Sequence, residues 1–288
     1  MNPFTGGCHH AKACENYMRE CGRCPELQSS NPNDFSRSIW NRKRNSYERL
    51  NPNLVGIVTP SRWLASHATN SSLLSLFSIS VIPPGIDTDL FQPRDRSKCR
   101  KALNIPEDAH VLLFVAQWLS DKYKGMEILL AAIEKLKANP NLWLLVVGEG
   151  DEFKSLGVKS VFLGSVQDEQ LLVNAYGAAD LFVLPSMEDN FPNTALEAVA
   201  CGLPIIGSRV GGIPEVVRDR QTGLLFNRGD AQSLATSAQE LLSDGAERRR
   251  MSEECRRIAV EEYRLELQSR RYLELYSTLL SSSNKFKA

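Results

Sequence analysis

Apolar runs of strand length alternate with helix-like segments after residue 109, and this alternation restricts the fold more than any other feature. The predicted strands are His110–Ala116, Leu142–Val147, Ser160–Leu163, Asp180–Leu184, Pro204–Ile206 and Gly223–Phe226. The helices are predicted to begin near Lys124, Asp151, Asp168, Pro192, Ile213 and Asp230. Because crossovers between parallel strands are right-handed, such a series forms a parallel sheet with helices on both faces. The sequence therefore predicts an α/β fold with a complete, doubly wound, Rossmann-like domain.

The composition restricts the class of protein and its partners. With 288 residues, of which 42% are hydrophobic, the chain is long enough for one or two domains. Lys plus Arg and Asp plus Glu both number 34, so no excess of basic charge favours a nucleic-acid partner. The seven cysteines are scattered, which suits a reducing cytoplasm better than a disulfide framework.

The segment from Leu184 to Glu215 carries the candidate ligand-binding groups. Pro192 fits the first turn of a helix, where its missing N–H costs nothing, and a helix is predicted from there to Cys201. The free N–H groups of the first turn attract a phosphate. Asp189 precedes this helix and Glu197 lies about one turn inside it, so both can face one ligand at the carboxyl edge of the sheet. Because carboxylates repel phosphate, we expect them to bind sugar and ribose hydroxyls.

Other uses of a doubly wound sheet lack their motifs in this sequence. Dinucleotide binding requires spaced glycines after the first strand, whereas the first predicted strand runs into Ala116-Gln117-Trp118. A P-loop and the nucleophile elbow of hydrolases are also absent from the sequence. A second side-chain-free turn, Gly211-Gly212, offers further backbone N–H groups to an anion.

The segment 184–215 resembles the E-x7-E segment of the family 4, or group 1, glycosyltransferases, retaining enzymes of the two-domain GT-B fold that use nucleotide-diphosphate sugars. The resemblance implies that Glu197 contacts the donor ribose. The first acidic position contacts the donor sugar in that family, and here it is Asp189, with Glu188 directly before it. Either of these two carboxylates is therefore expected to reach the sugar. The resemblance adds further donor-binding residues in the same loop and helix: Asn190, Phe191, Pro192, Asn193 and Thr194.

Other positions match the same family. Lys124 follows the first predicted strand of the domain, where relatives place a lysine that contacts the donor diphosphate. An arginine that relatives carry five residues earlier is replaced by Leu119, and Lys122 is a candidate substitute. Gly164 and Val166 belong to a segment that resembles the strand end lining the nucleobase. The resemblance thus implies three catalytic residues, Asp189, Glu197 and Lys124, and a transfer that requires no cofactor or metal.

Four cysteines near the N-terminus form a candidate zinc site. Cys21 and Cys24 have the spacing of a zinc knuckle, and Cys14 together with Cys8 or His9 would complete four ligands. The alternative is a surface loop of reduced thiols that binds no metal. The surrounding segment, residues 5–27, resembles part of the acceptor domain of bacterial exopolysaccharide and lipopolysaccharide glycosyltransferases of the colanic-acid type.

The chain is predicted to have three parts. Residues 1–84 contain only two predicted strands, Leu54–Thr59 and Ile79–Ile82, which is too little for the doubly wound acceptor domain of the family. This part is therefore expected to be an N-terminally incomplete acceptor-side domain. Residues 85–262 are predicted to be the donor-binding domain, and residues 263–288 a helix that crosses back to the N-terminal side.

Together, the residues and the resemblance predict a hexosyl-type glycosyltransferase that moves a sugar, with retention, from a nucleotide-diphosphate sugar to a polysaccharide or lipid-linked glycan. The alternative is a catalytically inactive fragment that only binds a nucleotide sugar. The expected partners are the nucleotide sugar and the glycan acceptor, and no nucleic acid. The expected location is the cytoplasm, with peripheral association at the inner face of the plasma membrane as an option.

Overall fold

The computed structural model describes residues 2–11, 14–150 and 157–285. The chain divides into two compact units, one formed by Met1–Pro83 together with Gln268–Ala288 and the other by Pro84–Leu267. Each unit has a hydrophobic core of its own.

Strands and helices follow one another along the described residues. The strands are β1 (Gly56–Thr59), β2 (Ser78–Val81), β3 (His110–Trp118), β4 (Leu142–Glu149), β5 (Lys159–Phe162), β6 (Leu181–Leu184), β7 (Ile205–Ser208) and β8 (Gly223–Phe226). The α-helices are α1 (Phe35–Tyr47), α2 (Arg62–Asn70), α3 (Arg96–Ala102), α4 (Met126–Leu136), α5 (Glu169–Ala178), α6 (Asn193–Ala200), α7 (Ile213–Val216), α8 (Ala231–Ser243), α9 (Gly245–Glu262) and α10 (Leu265–Lys285).

The larger unit is built on a six-stranded parallel sheet with the strand order β5-β4-β3-β6-β7-β8. The chain therefore moves outward from β3 in one direction, returns to the centre at β6 and moves outward in the other. The loops that follow β3 and β6 leave the sheet at the point where this direction reverses. In doubly wound sheets this switch point is where ligands bind.

Helices cover both faces of this sheet. Val111 and Leu113 of β3 belong to the core cluster that includes residues of α5, α6 and α9. Leu112 and Phe114 belong to the opposite cluster, which includes residues of α4 and α8. All four side chains are at most 2% exposed, and burying a side chain of this size stabilises the fold by about 1.5–3 kcal/mol. Burial of both faces explains why the strands are continuous apolar runs.

The predicted α/β fold with a doubly wound parallel sheet is confirmed, and the predicted strands of the larger unit end within two residues of the observed ones. The predicted helix near Asp151 falls on residues 151–156, which lie outside the described residues. The helix expected near Lys124 is a 3-10 turn, Lys122–Lys124, followed by α4. The sequence did not reveal α3, whose Arg100 is buried because its guanidinium donates to the buried Asp180 carboxylate at 2.8 Å.

In the smaller unit, β1 and β2 form a two-stranded parallel sheet with Gly56 opposite Ser78. Most of its strand residues are half-buried, in contrast to the fully buried β6. Phe4, Tyr17 and Trp40 contribute to its core. The residues of α10 that belong to this unit pack on β1, since a Cβ at Gly56 would lie 3.4 Å from the Leu279 side chain.

Candidate active site

The loops after β3 and β6 are joined directly at the switch point. The N–H of Met187 donates to the carbonyl of Tyr123 at 2.7 Å. Gly125 has φ +75°, and a Cβ there would lie 1.9 Å from the carbonyl oxygen of Pro185. Only glycine permits this approach of the two backbones. The glycine therefore fixes the position of the preceding lysine, Lys124, relative to the loop that carries Asp189.

Two of the three predicted catalytic residues contact each other. The Lys124 ammonium donates to Oδ2 of Asp189 at 2.8 Å, although 65 residues separate them in sequence. Their side chains are 34% and 14% exposed, so the pair lies at the surface of the crevice. Partial exposure screens this ion pair, so it contributes about 1 kcal/mol. A diphosphate carries more negative charge than one carboxylate, so it can take the lysine from the aspartate.

Glu197, the third predicted catalytic residue, lies on α6 and is half-buried. Its Oε2 accepts a hydrogen bond of 2.6 Å from the hydroxyl of Tyr176 on α5. Burial raises the pKa of the Glu197 carboxyl, and the bond from Tyr176 opposes that rise. The protein thus directs one oxygen of this carboxylate, and no side chain or N–H of the described residues hydrogen-bonds the other.

The N-terminus of α6 carries donors for an anion, as its position predicts. Pro192 is the N-cap, and the N–H of Ala195 donates to its carbonyl at 3.1 Å. Within the described part of the chain, no acceptor takes the N–H groups of Asn193 and Thr194. Asn193 is exposed and Thr194 is half-buried, so the start of the helix lies at the protein surface.

The turn at Gly211-Gly212 has a different role from the anion site that its sequence predicts. The N–H of Gly212 donates to the carbonyl of Asp189 at 3.0 Å. Gly211 has φ +56°, and a Cβ there would lie 1.7 Å from the same carbonyl. The turn therefore holds the backbone of Asp189 in place, and its Gly212 N–H is not available to an anion.

The other predicted donor-binding residues take several positions. The Phe191 ring is 8% exposed and packs edge-on against Tyr263, with ring centroids 5.9 Å apart. Pro192 is also buried, and Glu188 and Asn190 are half-buried beside Asp189. Phe191 and Pro192 thus anchor the loop, which leaves the polar side chains as its ligand-facing candidates.

Gly164 and Val166 follow β5 at the same carboxyl edge of the sheet. Gly164 has φ +65° and open space where a Cβ would stand, and its carbonyl accepts a 2.8 Å bond from the N–H of Gly148. The Val166 side chain packs against the core. Two strand spacings, or about 10 Å, separate β5 from β3. Gly164 therefore leaves an accessible backbone surface on the same edge as Lys124.

The N-terminal cysteines are free thiols. Cys21 is buried, its sulfur accepts a 3.1 Å bond from the N–H of Gly6, and burial raises its pKa to about 11. Among the described residues, no group of three or more His, Cys, Asp or Glu side chains is arranged to hold a metal ion. Residues 12 and 13 of the same loop lie outside that range. Zinc at Cys8, Cys14, Cys21 and Cys24 remains a prediction.

Tyr176 is the site residue that sequence reasoning missed. Its place on the apolar face of a helix indicates a core position, and nothing in the sequence connects its hydroxyl with Glu197.

No helix within the described ranges is long and apolar enough to cross a bilayer.

Comparison with known proteins adds a family match. The family described as "Glycosyl transferases group 1" matches residues 95–258. N-acetyl-alpha-D-glucosaminyl L-malate synthase of Bacillus anthracis is 33% identical over 211 residues, which are 70% of this chain and 54% of that protein. D-inositol 3-phosphate glycosyltransferase of Segniliparus rotundus is 35% identical over 176 residues, which are 57% of this chain and 39% of that protein. The chain thus spans about half or less of the length of these relatives.

A solved structure shows the same architecture. Sucrose-phosphate synthase from Thermosynechococcus elongatus matches with a TM-score of 0.73 and 28% identity, over 88% of this chain and 64% of that one. The match extends beyond residues 95–258, because it covers most of the chain.

Proposed function

Because the chain belongs to the group 1 glycosyltransferases and has their α/β GT-B architecture, we propose that its switch-point crevice binds a nucleotide-diphosphate sugar for transfer of the sugar with retention. The observation that carries the proposal is the convergence of Lys124, Asp189 and the free N–H groups of α6 at one edge of the sheet. Glu197 lies on the same helix.

The proposed chemistry uses fixed charges. As the bond from the sugar to the diphosphate breaks, negative charge develops on the diphosphate. The ammonium of Lys124 and the N–H groups of Asn193 and Thr194 stabilise that charge, which is a preorganised electrostatic role. Glu197 accepts hydrogen bonds from the ribose, and Asp189 or Glu188 orients the sugar. Lysine and peptide dipoles supply the positive charge, so the proposal needs no metal.

For the acceptor, we propose a polysaccharide or lipid-linked glycan. The names of two relatives favour a second candidate, a small hydroxyl compound carrying a negative charge, since one relative is named for L-malate and another for inositol 3-phosphate. Transfer assays with one radiolabelled donor and both acceptor classes separate the two. The inactive alternative, a chain that binds a nucleotide sugar without transfer, gives binding and no product with either class, even when a polypeptide that adds strands beside β1 and β2 is supplied.

The central test is nucleotide binding by a lysine variant. The probe is the nucleoside diphosphate that the wild type binds most tightly among those of uridine, guanosine and adenosine. We expect Lys124→Met to weaken its binding by about tenfold or more, because the variant loses a charged hydrogen bond to the diphosphate. Lys98→Met is the matched control, since this lysine on α3 has a side chain that is 85% exposed and pairs with Asp95. Equal affinities of the wild type and Lys124→Met for all three nucleotides would contradict the proposed site.

A further inference from the structure

Tyr176 contacts the candidate ribose ligand from a fixed position in the core. The residue lies on α5 and is 1% exposed. Its ring packs against Phe182 of β6 with centroids 5.8 Å apart, and against Phe91 with centroids 6.3 Å apart. Because its neighbours hold the ring, the hydroxyl oxygen has one position, and only its proton can rotate.

The hydroxyl proton is directed at Glu197. Two oxygens lie near the hydroxyl, Oε2 of Glu197 at 2.6 Å and the carbonyl of Thr194 at 3.4 Å. One proton makes one short bond, and the shorter distance and the charge of the carboxylate favour Glu197. In the part of the chain that the structure describes, Tyr176 is the only side chain that hydrogen-bonds this carboxylate. The ring therefore sets the rotation of the carboxylate and leaves Oε1 for another donor.

The same bond favours the charged form of the carboxylate. Burial raises the pKa of Glu197, and the Tyr176 hydroxyl lowers it, so loss of the hydroxyl is expected to raise it further. The titratable groups on the elements packed against α6 include Arg256 of α9 and Glu215 of α7, and Cys201 follows α6 directly. The guanidinium of Arg256 donates to backbone carbonyls, including that of Ala200.

We propose that Tyr176 positions the Glu197 carboxylate for the ribose hydroxyls of the donor nucleotide, a role that rests on the proposed function. A ribose presents two adjacent hydroxyl groups, and a carboxylate held in one orientation can accept from both. Tyr176 is a positioning residue, because it acts through Glu197 and reaches the ligand only by way of that side chain.

The test compares a ribonucleotide with its analogue that lacks both ribose hydroxyls. The probe is the diphosphate of uridine, guanosine or adenosine that the wild type binds most tightly, together with its 2′,3′-dideoxy form. Tyr176→Phe keeps the ring contacts and lets the Glu197 carboxylate turn away from the ribose. We expect ribonucleotide binding to weaken about tenfold, which corresponds to one charged hydrogen bond to the ribose, and binding of the dideoxy form to change less than twofold. The loss should grow as the pH falls, because the Glu197 carboxylate of the variant takes up a proton more readily than that of the wild type.

Two further variants separate positioning from a purely structural role. Tyr263→Phe is the matched control, since its hydroxyl donates to the backbone carbonyl of Glu215 at 3.2 Å in the same unit, and it should bind both nucleotides like the wild type. In a Glu197→Gln background, Tyr176→Phe should add less than a twofold loss. If Tyr176→Phe does not fold, Tyr176→Met carries the test, because a flexible Met side chain fills irregular space.

The outcomes are distinct. Equal losses for the two nucleotides in Tyr176→Phe, or no loss for either, would overturn the positioning role while leaving the proposed function standing. A wild-type protein that binds none of the three nucleoside diphosphates would overturn the proposed function and this role together.

Discussion

Substitutions of Glu197 and Asp189, the two acidic residues of the E-x7-E-like segment, should have different effects on nucleotide binding. We expect Glu197→Gln to weaken binding of the preferred nucleoside diphosphate and Asp189→Asn to leave it unchanged or tighten it. The reason is that Glu197 is proposed to bind the ribose, which a nucleoside diphosphate contains. Asp189 or Glu188 is proposed to bind the sugar, which a nucleoside diphosphate lacks.

The magnitudes follow from the contacts of each side chain. Loss of a charged hydrogen bond to a ribose hydroxyl costs about 1.5–3 kcal/mol, or about 10- to 150-fold in the dissociation constant. Asp189→Asn removes the 2.8 Å ion pair with Lys124, which at this exposure is worth at most about 1 kcal/mol. That loss frees the ammonium for the diphosphate, so any change in affinity for the variant should be a gain of at most about fivefold.

Isothermal titration calorimetry at pH 7.5 measures both dissociation constants. Glu134→Gln serves as the control, because this exposed carboxylate of α4 pairs with Lys137 and lies outside the proposed site. Melting temperatures of all variants establish that they are folded. Equal losses for Glu197→Gln and Asp189→Asn would refute the division of roles between ribose and sugar.

Three other outcomes are expected. Gly125→Ala should lower the melting temperature by several degrees, because its Cβ would lie 1.9 Å from the Pro185 carbonyl oxygen. Gly229 has the same φ of +75° but open space around it, so Gly229→Ala should lower the melting temperature less. Equal shifts for the two variants would mean that the contact with Pro185 is unimportant. Burial raises the folded-state pKa of Glu197 above 4.5, so the ionised side chain destabilises the fold at neutral pH. Calorimetric melting should therefore show that Glu197→Gln is more stable than the wild type at pH 7 and that this difference vanishes below about pH 4.5. A difference that does not change with pH would contradict the burial argument. If the N-terminal cysteines bind zinc, anaerobically purified protein should contain about one equivalent of metal, and metal analysis that finds none would exclude the site.

The sheet of the larger unit was predictable because its signal is local. Each strand, such as Leu181–Leu184, is a short apolar run between turn residues, and burial on both faces requires only that pattern. The helix α3 was missed because its sequence, Arg-Ser-Lys-Cys-Arg-Lys-Ala, has no apolar stripe. Its Arg100 is buried by pairing with Asp180, a partner 80 residues away that no local pattern identifies.

The candidate site was predictable as a set of residue types and not as a set of contacts. Asp189 and Glu197 stand out through their places before and inside the first helical turns at the edge of the sheet, and the resemblance to the family adds Lys124. The pairing of Lys124 with Asp189 and of Tyr176 with Glu197 depends on how β3, β6, α5 and α6 pack. The role of the Gly211-Gly212 turn could not be predicted from the sequence either. A turn that binds an anion and a turn that supports the Asp189 carbonyl both require these glycines, so the residue types do not distinguish them.

Binding and transfer should separate in this chain, because the two units differ in how well their sheets are buried. The six-stranded sheet has helices on both faces, whereas the described smaller unit has a two-stranded parallel sheet whose residues are mostly half-buried. Parallel sheets are normally covered on both faces. We therefore expect the 288-residue chain to bind a nucleoside diphosphate but to transfer little sugar. Addition of a polypeptide that supplies strands beside β1 and β2 should increase the transfer. In hydrogen-exchange mass spectrometry, residues 14–83 should exchange faster than residues 110–150. Efficient transfer by the chain alone to a matched acceptor, with equal protection of both regions, would show that the two-stranded sheet is sufficient for catalysis.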